Sequence, residues 1–514
     1  MNTPPEEAKE PEQMIRLLNR LLETKVEQLS GNEAKLSASW ELLLHQIQDE
    51  IRSVSQTGSK NIPEIGFHDI RSIDKADSFL RDLTTRGAVI IRNVVSVNEA
   101  EAWSFELDSY LRDNPHTKAS PAEDPDLYEL FWSLAQLNAR AHPNMLEAQK
   151  FAMSGCWHHP SSTLQKPLSC KFPVTYADRV RMRHKSLRGS SPGICKAKPS
   201  VLPGTRIGGG GCGPWEVDND GPDSSTSVYR EIWSGNWEDY DPWDTSSRLD
   251  REMHLDKGLS TSGVVKLFQG MLPLSLGSSD DDSQMRVCSL PLKLTTAYCL
   301  LRPFFSPKRP FTDNRDDYLH PSNWAMDIAQ SSVNRASHDI SDTTHPHLQL
   351  EKTLVSLPPL HPGDYVIWHP DTIHSTLNTR PQLESPSSPQ EASCSPGIRA
   401  TSPSPSTILY IPACPLTQSN AEYLVHQRKA FLLGFPGPDF ISTQGGGHAD
   451  FGESYHMGRP GVQEINDAGG EDALRAMGLL AWEEDDAADA GERDLLRRAN
   501  ALLFPDRAGA RFCV

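Results

Sequence analysis

Two histidines, His369 and His374, stand in the stretch LHPGDYVIWHPDTIHSTLN (360–378), behind a His-Pro-Gly-Asp turn and a short apolar run. Imidazole changes charge near neutral pH and is the commonest protein ligand for transition metals. A facial Fe(II) site takes two histidines and one carboxylate on one side of the ion. In sequence that requires an HxD or HxE pair on an early strand and a distal histidine on a late one, because residues two apart share a strand face. His374 suits the distal role. Three triplets compete for the pair. His254-Leu255-Asp256 stands shortly before the apolar run at 264–276, in the order a facial triad needs. In His369-Pro370-Asp371 the proline disturbs the alternation, and the triplet lies too close to His374 to clamp an ion with it. His448-Ala449-Asp450 follows the last strand, in the wrong order. Spacing therefore favours His254 and Asp256, against the competing reading that an HxD triplet is a chance loop feature in a chain with 18 histidines.

The elements that must position these residues are legible in part. Pro362 and Gly363 suit a tight turn, and period two puts Tyr365 and Ile367 on one strand face and Val366 and Trp368 on the other. Upstream, SIDKADSFLRDLTTR (72–86) reads as a helix leading through Gly87 into AVIIRNVV (88–95), a short buried strand, then a second helix starting at Ser96. The runs VVKLFQGMLPLSL (264–276) and LPLKLTTAYCLLRPFF (290–305) read as strands joined by a polar loop, a meander. STILYIPACPL (406–416) restores a strand, so that two neighbouring strands bracket the Pro/Ser-rich insertion 379–407, which cannot hold a core. Helical periodicity marks two N-terminal segments, two segments within 124–152 separated at His142-Pro143, NAEYLVHQRKAFLLG (420–434) and the acidic C-terminus. The expected organisation is a helical extension over 1–60, a main domain over 61–460 and a helical segment over 461–514. The expected fold is α+β, a double-stranded β-helix or cupin-like jelly roll with helices flanking it at both ends.

Three further segments bear on chemistry. A basic run contains Arg179, Arg181, Arg183, His184, Lys185 and Arg188; such a run is usually a solvated face, and the alternative is a cradle for an acidic cosubstrate. Gly208–Gly211 has no following Lys-Ser or Lys-Thr and no helix pattern, so a phosphate-binding loop is not supported. Trp215, Tyr229, Trp233, Trp237, Tyr240 and Trp243 form either a cap over a pocket or an aromatic core cluster.

Composition excludes several classes. With 68 acidic against 50 basic side chains the net charge is −18, which repels nucleic acid and anionic membranes alike. Neither a signal peptide nor a membrane span is recognisable, so a cytoplasmic protein is expected. Nine cysteines without a CxxC pair read as free thiols.

Taken together, AVIIRNVV, WSGNWEDYDPWD, VVKLFQGMLPLSL, LTTAYCLLRPFF, HPGDYVIWHPDTIHS and LYIPACPLTQSNAEYL resemble the YbiU-like family, a fungal and bacterial group of unknown function. The resemblance covers about residues 65–460 and implies a fold like that of the 2-oxoglutarate/Fe(II)-dependent dioxygenases, with Fe(II) and 2-oxoglutarate as cofactors and a small-molecule substrate. It also implies that the HxD pair falls at Arg206-Ile207-Gly208, where neither ligand type is present. The site is then either displaced to His254 and Asp256, assisted by Glu216 and Asp218, or lost, leaving a non-catalytic binding or scaffold protein. The arginine fork that a 2-oxoglutarate carboxylate prefers is expected from Arg302 or Arg399, with Arg380 a third candidate; Arg302 could equally be a structural ion-pair partner.

Overall fold

The computed structural model describes residues 31–120, 126–158, 167–183, 206–207, 229–245, 264–276, 285–311, 314–327, 340–376, 406–440 and 452–506. Among these, sixteen strands are present: β1 (Glu64–Gly66), β2 (Ala88–Arg92), β3 (Ala119–Ser120), β4 (Leu127–Tyr128), β5 (Leu168–Val174), β6 (Val180–Arg183), β7 (Arg206–Ile207) and β8 (Gln269–Ser275) in the first half. The second half supplies β9 (Met285–Cys288), β10 (Phe305–Pro307), β11 (Trp324–Met326), β12 (Leu354–Ser356), β13 (Tyr365–Trp368), β14 (Ile373–Thr376), β15 (Ser406–Tyr410) and β16 (Cys414–Thr417). One sheet has the order β1-β2-β13-β8-β15-β6-β4-β3, a second the order β12-β9-β14-β7, and β10-β11 and β16-β5 are separate pairs. The β1–β2 pair is parallel, and the two larger sheets are otherwise antiparallel.

The molecule is thus mixed α+β, with apolar layers that the strand alternation separates cleanly. On β15, Ile408 enters a cluster with Ile90, Met271, Met285, Val287, Val366 and Trp368, residues drawn from both sheets. Its neighbour Leu409 enters a different cluster with Val89, Ile91, Leu272, Leu274 and Ile367, where the large sheet meets the helices Ile73–Arg86, Val97–Asp113 and Pro143–Cys156. Period two along each strand is the cause. The helices begin and end where their sequences direct. Ser96 and Glu99 form a reciprocal capping box at the start of Val97–Asp113. Gly434, at φ 74°, ends the helix Gln418–Leu433.

Several expectations change. The run at 290–305, read as a strand, is largely the helix Leu292–Leu301. A continuous apolar run carries no periodicity to separate a buried strand from a buried helix, and here every residue of the helix except Lys293 is buried. The expected meander is also replaced: β8 and β9 lie in different sheets, and so do β14 and β15 on either side of the insertion. That insertion, 379–407, lies outside the described residues up to Ser406. The N-terminal helix Glu33–Thr57 packs on the main body. Its Trp40, 1% exposed, stacks on Phe305 at 4.4 Å and on Tyr298 at 5.3 Å, inside the cluster that covers the outer side of the small sheet. Cys156, Cys170, Cys288, Cys299 and Cys414 are free thiols. Among the described residues no helix is long and apolar enough to cross a membrane.

Two buried charged contacts join distant segments. Asp364, 2% exposed, pairs with Arg92 at 2.6 Å and accepts the backbone N–H groups of Asn93 and His361. Beside it, Gly363 has φ 86°, and a Cβ there would stand 2.0 Å from the Val95 carbonyl oxygen. The second contact is Glu453, whose carboxylate accepts from the Phe131 and Trp132 backbone N–H groups at 2.6 and 3.1 Å, close to the buried Arg140. Burial pushes the Glu453 carboxyl up to about 7, against the opposing pull of those N–H groups and of Arg140 and Arg459.

Gly363→Ala is expected to lower the unfolding free energy by about 3 kcal/mol or more, since it combines a strained φ with a backbone collision; urea denaturation measures it. Because the folded pKa of Glu453 lies above that of an exposed glutamate, its contribution to stability is full at acid pH and is lost as pH rises through about 7. Glu453→Gln is therefore expected to flatten the fall in stability that the native chain shows over that range, as read from denaturation curves at stepped pH.

Candidate functional site

The turn after β13 and the strand β14 send two histidines to different layers of the molecule. His369 is fully buried. Its Nδ1 accepts the Asp371 N–H at 3.0 Å, so Nε2 carries the proton and donates to the Pro242 carbonyl at 3.0 Å. The ring stacks on Trp157 at 4.9 Å and meets Trp243 edge-on at 4.8 Å. It is a neutral, satisfied core histidine. Asp371, also buried, receives the hydroxyls of Tyr229 and Tyr240, each at 3.3 Å. The described part of the aromatic segment packs as core, with Trp233 and Trp237 in the cluster around the N-terminal helix and Trp243 beside His369 in the layer between the large sheet and the helices. Gly87 anchors the turn: its carbonyl accepts the His369 N–H at 2.7 Å and the Thr372 hydroxyl at 3.0 Å.

His374 faces the other way. On β14 its neighbour Ile373 joins the outer cluster, whereas the residue paired with His374 is Val287, a member of the inter-sheet cluster. Cross-strand partners share a face. The ring of His374 accordingly lies 5.4 Å from that of Trp368, in the space between the sheets. Its Nδ1–H donates to the Thr372 carbonyl at 3.0 Å, which leaves Nε2 as the lone-pair nitrogen, the tautomer a ligand or base requires. Asp371 and His374, three residues apart, thus face away from each other.

On its other edge β14 pairs with β7, and the residue opposite His374 is Arg206. This is the position where the resemblance to the dioxygenases calls for the histidine of the HxD pair. Arginine has no lone pair to give a metal. Among the described residues no group of three His, Cys, Asp or Glu side chains converges to hold an ion. Arg206 therefore supplies no ligand at the expected place. His254 and Asp256 lie outside the described residues, as do Gly208, Glu216, Asp218, Arg380, Arg399, His448 and Asp450.

Arg302 is buried in the outer cluster and not on the inner face with His374. Its guanidinium lies 4.6 Å from the centre of the Trp324 ring and donates to the Phe305 carbonyl at 2.8 Å. The basic run, by contrast, reaches the interior. On β15 the alternation places Ser406, Ile408 and Tyr410 inward, and the residues paired with Ser406 and Ile408 are Arg183 and Arg181. Both arginines pair with Asp126, at 3.2 and 3.1 Å. The signal for this was in the sequence: Val180 and Met182 are apolar between Arg179, Arg181 and Arg183, the period of a strand with one charged face.

These features define a class, a mixed α+β protein whose facing sheet surfaces are apolar around Val366 and Met271 and basic at the β6 edge. The chain belongs to the Gig2-like family, whose model matches residues 15–479. It is 25% identical over 394 residues to the uncharacterized protein YbiU of Escherichia coli K12, covering 74% of this chain and 79% of that one. The solved structure of GlcNAc Inducible Gene 2 from Candida albicans superposes with a TM-score of 0.72 at 23% identity, over 96% of this chain and 98% of the other. A Salmonella typhimurium LT2 protein, whose name suggests without asserting an oxidoreductase, superposes with a TM-score of 0.64 at 23% identity, over 90% and 97%. At these identities the likeness is one of fold.

The contrast between the two histidines is testable. His369→Phe strands the Pro242 carbonyl and the Asp371 N–H in the core and is expected to cost about 2 to 4 kcal/mol of stability. His374→Ala is expected to cost less than about 1 kcal/mol, as for a half-buried side chain. Chemical denaturation of both variants measures the difference.

Proposed function

We propose that this chain is a jelly-roll protein of dioxygenase type that binds a small molecule between its sheets and does not hold a facial-triad iron there. The jelly-roll reading is supported by the path of the chain. Of the eight strands β6–β9 and β12–β15, β6, β8, β13 and β15 belong to the large sheet and β7, β9, β12 and β14 to the small one, an alternation broken only between β9 and β12, with the antiparallel pairing such a double sheet requires. The β10–β11 hairpin and the helix Leu292–Leu301 are then insertions between its fourth and fifth strands. The observation that carries the iron-free reading is the register of β7 on β14, which sets Arg206 opposite His374. An arginine there supplies no ligand, and one histidine alone does not supply the several ligands in fixed geometry that Fe(II) needs.

A second reading is favoured by one observation, the inward placement of His374 with Nε2 as its lone-pair nitrogen. In it the protein is a 2-oxoglutarate/Fe(II)-dependent oxygenase that hydroxylates or otherwise oxidises a small molecule, with His254 and Asp256 completing the ligand set and Arg399 receiving the 2-oxo acid.

Anaerobic loading with Fe(II), desalting and elemental analysis separate the two, together with succinate release from 2-oxoglutarate under air. The expected outcome is substoichiometric iron, unchanged in His374→Ala, and no succinate. Stoichiometric iron that His374→Ala abolishes, with succinate formed, overturns the iron-free reading and establishes the second.

A further inference from the structure

A cavity of about 610 Å³ stands between the helix Pro143–Cys156, β5 and the C-terminal helix Val462–Ala476 with the loop that follows it. None of its lining residues belongs to either of the larger sheets. A cavity of this size holds a small organic molecule. Pro143, Leu146, Glu147, Lys150 and Phe151 line it at helical spacing, so one face of their helix forms a wall. Met145, Ala148, Ala152 and Met153, on the other face, enter the core against the large sheet. Phe172 of β5 and Trp482 continue the apolar lining. Trp482 is 3% exposed, and its backbone N–H and carbonyl both bond the Asn500 side chain, at 2.9 and 2.8 Å, which holds that part of the wall in place. Gly469 lets the C-terminal helix close against its neighbour, since a Cβ there would stand 1.9 Å from the Ala141 carbonyl oxygen.

The charged groups around this lining fall into two sets. Arg71 and Glu147 form a bidentate pair at 3.0 and 2.8 Å, and Arg475 is held by Glu471, Asp472 and Glu483 at 2.7, 3.2 and 4.0 Å. The second set is uncommitted. Lys150, one turn beyond Glu147, has no partner among the described residues. Lys171 reaches a neutral group, the Asp486 backbone carbonyl, and lies 5.2 Å from the centre of the Phe172 ring. The Asp486 carboxylate has no cation bonded to it among the described residues. Two ammonium groups and one carboxylate are thus left open around an apolar surface.

We propose that this cavity binds a zwitterionic apolar ligand, an apolar α-amino acid or a short peptide of such residues. Its carboxylate meets Lys150 and Lys171, its ammonium meets Asp486, and its side chain lies against Leu146, Phe151, Phe172 and Trp482. The inference stands apart from the inter-sheet reading, with which it shares no residue. An uncharged apolar molecule desolvates the open charges without pairing them, which is costly. A simple anion or cation answers groups of one sign; a zwitterion answers both. An aromatic ligand side chain gains further from offset or edge-on contact with the rings of the wall.

Isothermal titration of the full chain with phenylalanine and with the dipeptide leucyl-phenylalanine tests the site, and the tighter binder identifies the source. Saturable binding of at least one is expected. N-acetylation or C-terminal amidation of that ligand, each of which removes one charge, is expected to weaken it by about tenfold or more. Lys150→Gln is expected to weaken the uncapped ligand about fivefold or more and to leave the amidated form unchanged. Asp486→Asn is expected to weaken the uncapped ligand and to leave the N-acetylated form unchanged, a split that a merely structural role does not produce. Both side chains are exposed, and circular dichroism confirms that the variants are folded. The capped ligands need no variant, so they test the proposal on the native chain alone. Absence of saturable binding, equal affinity for the capped forms, or unchanged affinity in either folded variant overturns it.

Discussion

The Asp364 carboxylate holds the joint on which the rest of the structure depends. It is buried at the start of β13, and a buried carboxylate must be fully satisfied to be tolerated. Arg92 at the end of β2 meets it, and the N–H groups of Asn93 and His361 complete its shell. Asn93 takes a left-handed φ of 56° to present that N–H, a conformation asparagine tolerates better than most residues. Gly363 lets the turn lie directly against Val95, whose N–H it receives. The result is a defined register of β13 on β2 and β8. Four residues later that register determines which of Trp368 and Ile367 faces the small sheet, and through the Gly87 anchor it directs the turn into β14.

From that turn follow two histidines with opposite fates. His369 is surrounded by indole rings, with both nitrogens hydrogen-bonded, and acts as a rigid spacer between β13 and the aromatic segment. His374 is carried to the inner side because β14 presents alternate residues to opposite faces. The same alternation on β15 and β6 brings the arginine pair inward. Among the described residues the interior therefore combines an apolar wall, His374 and a cationic edge, contributed by strands that are distant in the chain.

The inter-sheet cluster is aliphatic and aromatic, so burial of apolar surface stabilises it. A fold of this kind persists when metal-ligand positions change. That is consistent with Arg206 standing where the resemblance to the dioxygenases calls for a histidine, while the strand that carries it still pairs with β14.

Much was legible in the chain itself. The capping box at Ser96, the glycine that ends the helix before β2, the His-Pro-Gly-Asp turn and the alternation of Tyr365–Trp368 are local features, and local physics is enough to read them. The basic run was visible as a solvated face or a cradle, but not that Arg181 and Arg183 stand on one strand face or the side to which that face turns. What only the tertiary structure decided is whatever depends on contacts between distant segments. The run Leu292–Leu301 is apolar on all sides, so its helical state follows from burial between the small sheet and the N-terminal helix and not from its own pattern. Whether Arg302 or the Arg181–Arg183 pair faces the interior, and which of two histidines five residues apart is structural, are set by the path of strands between two sheets. Residue spacing cannot encode that path, because one step along a strand reverses the direction of every side chain.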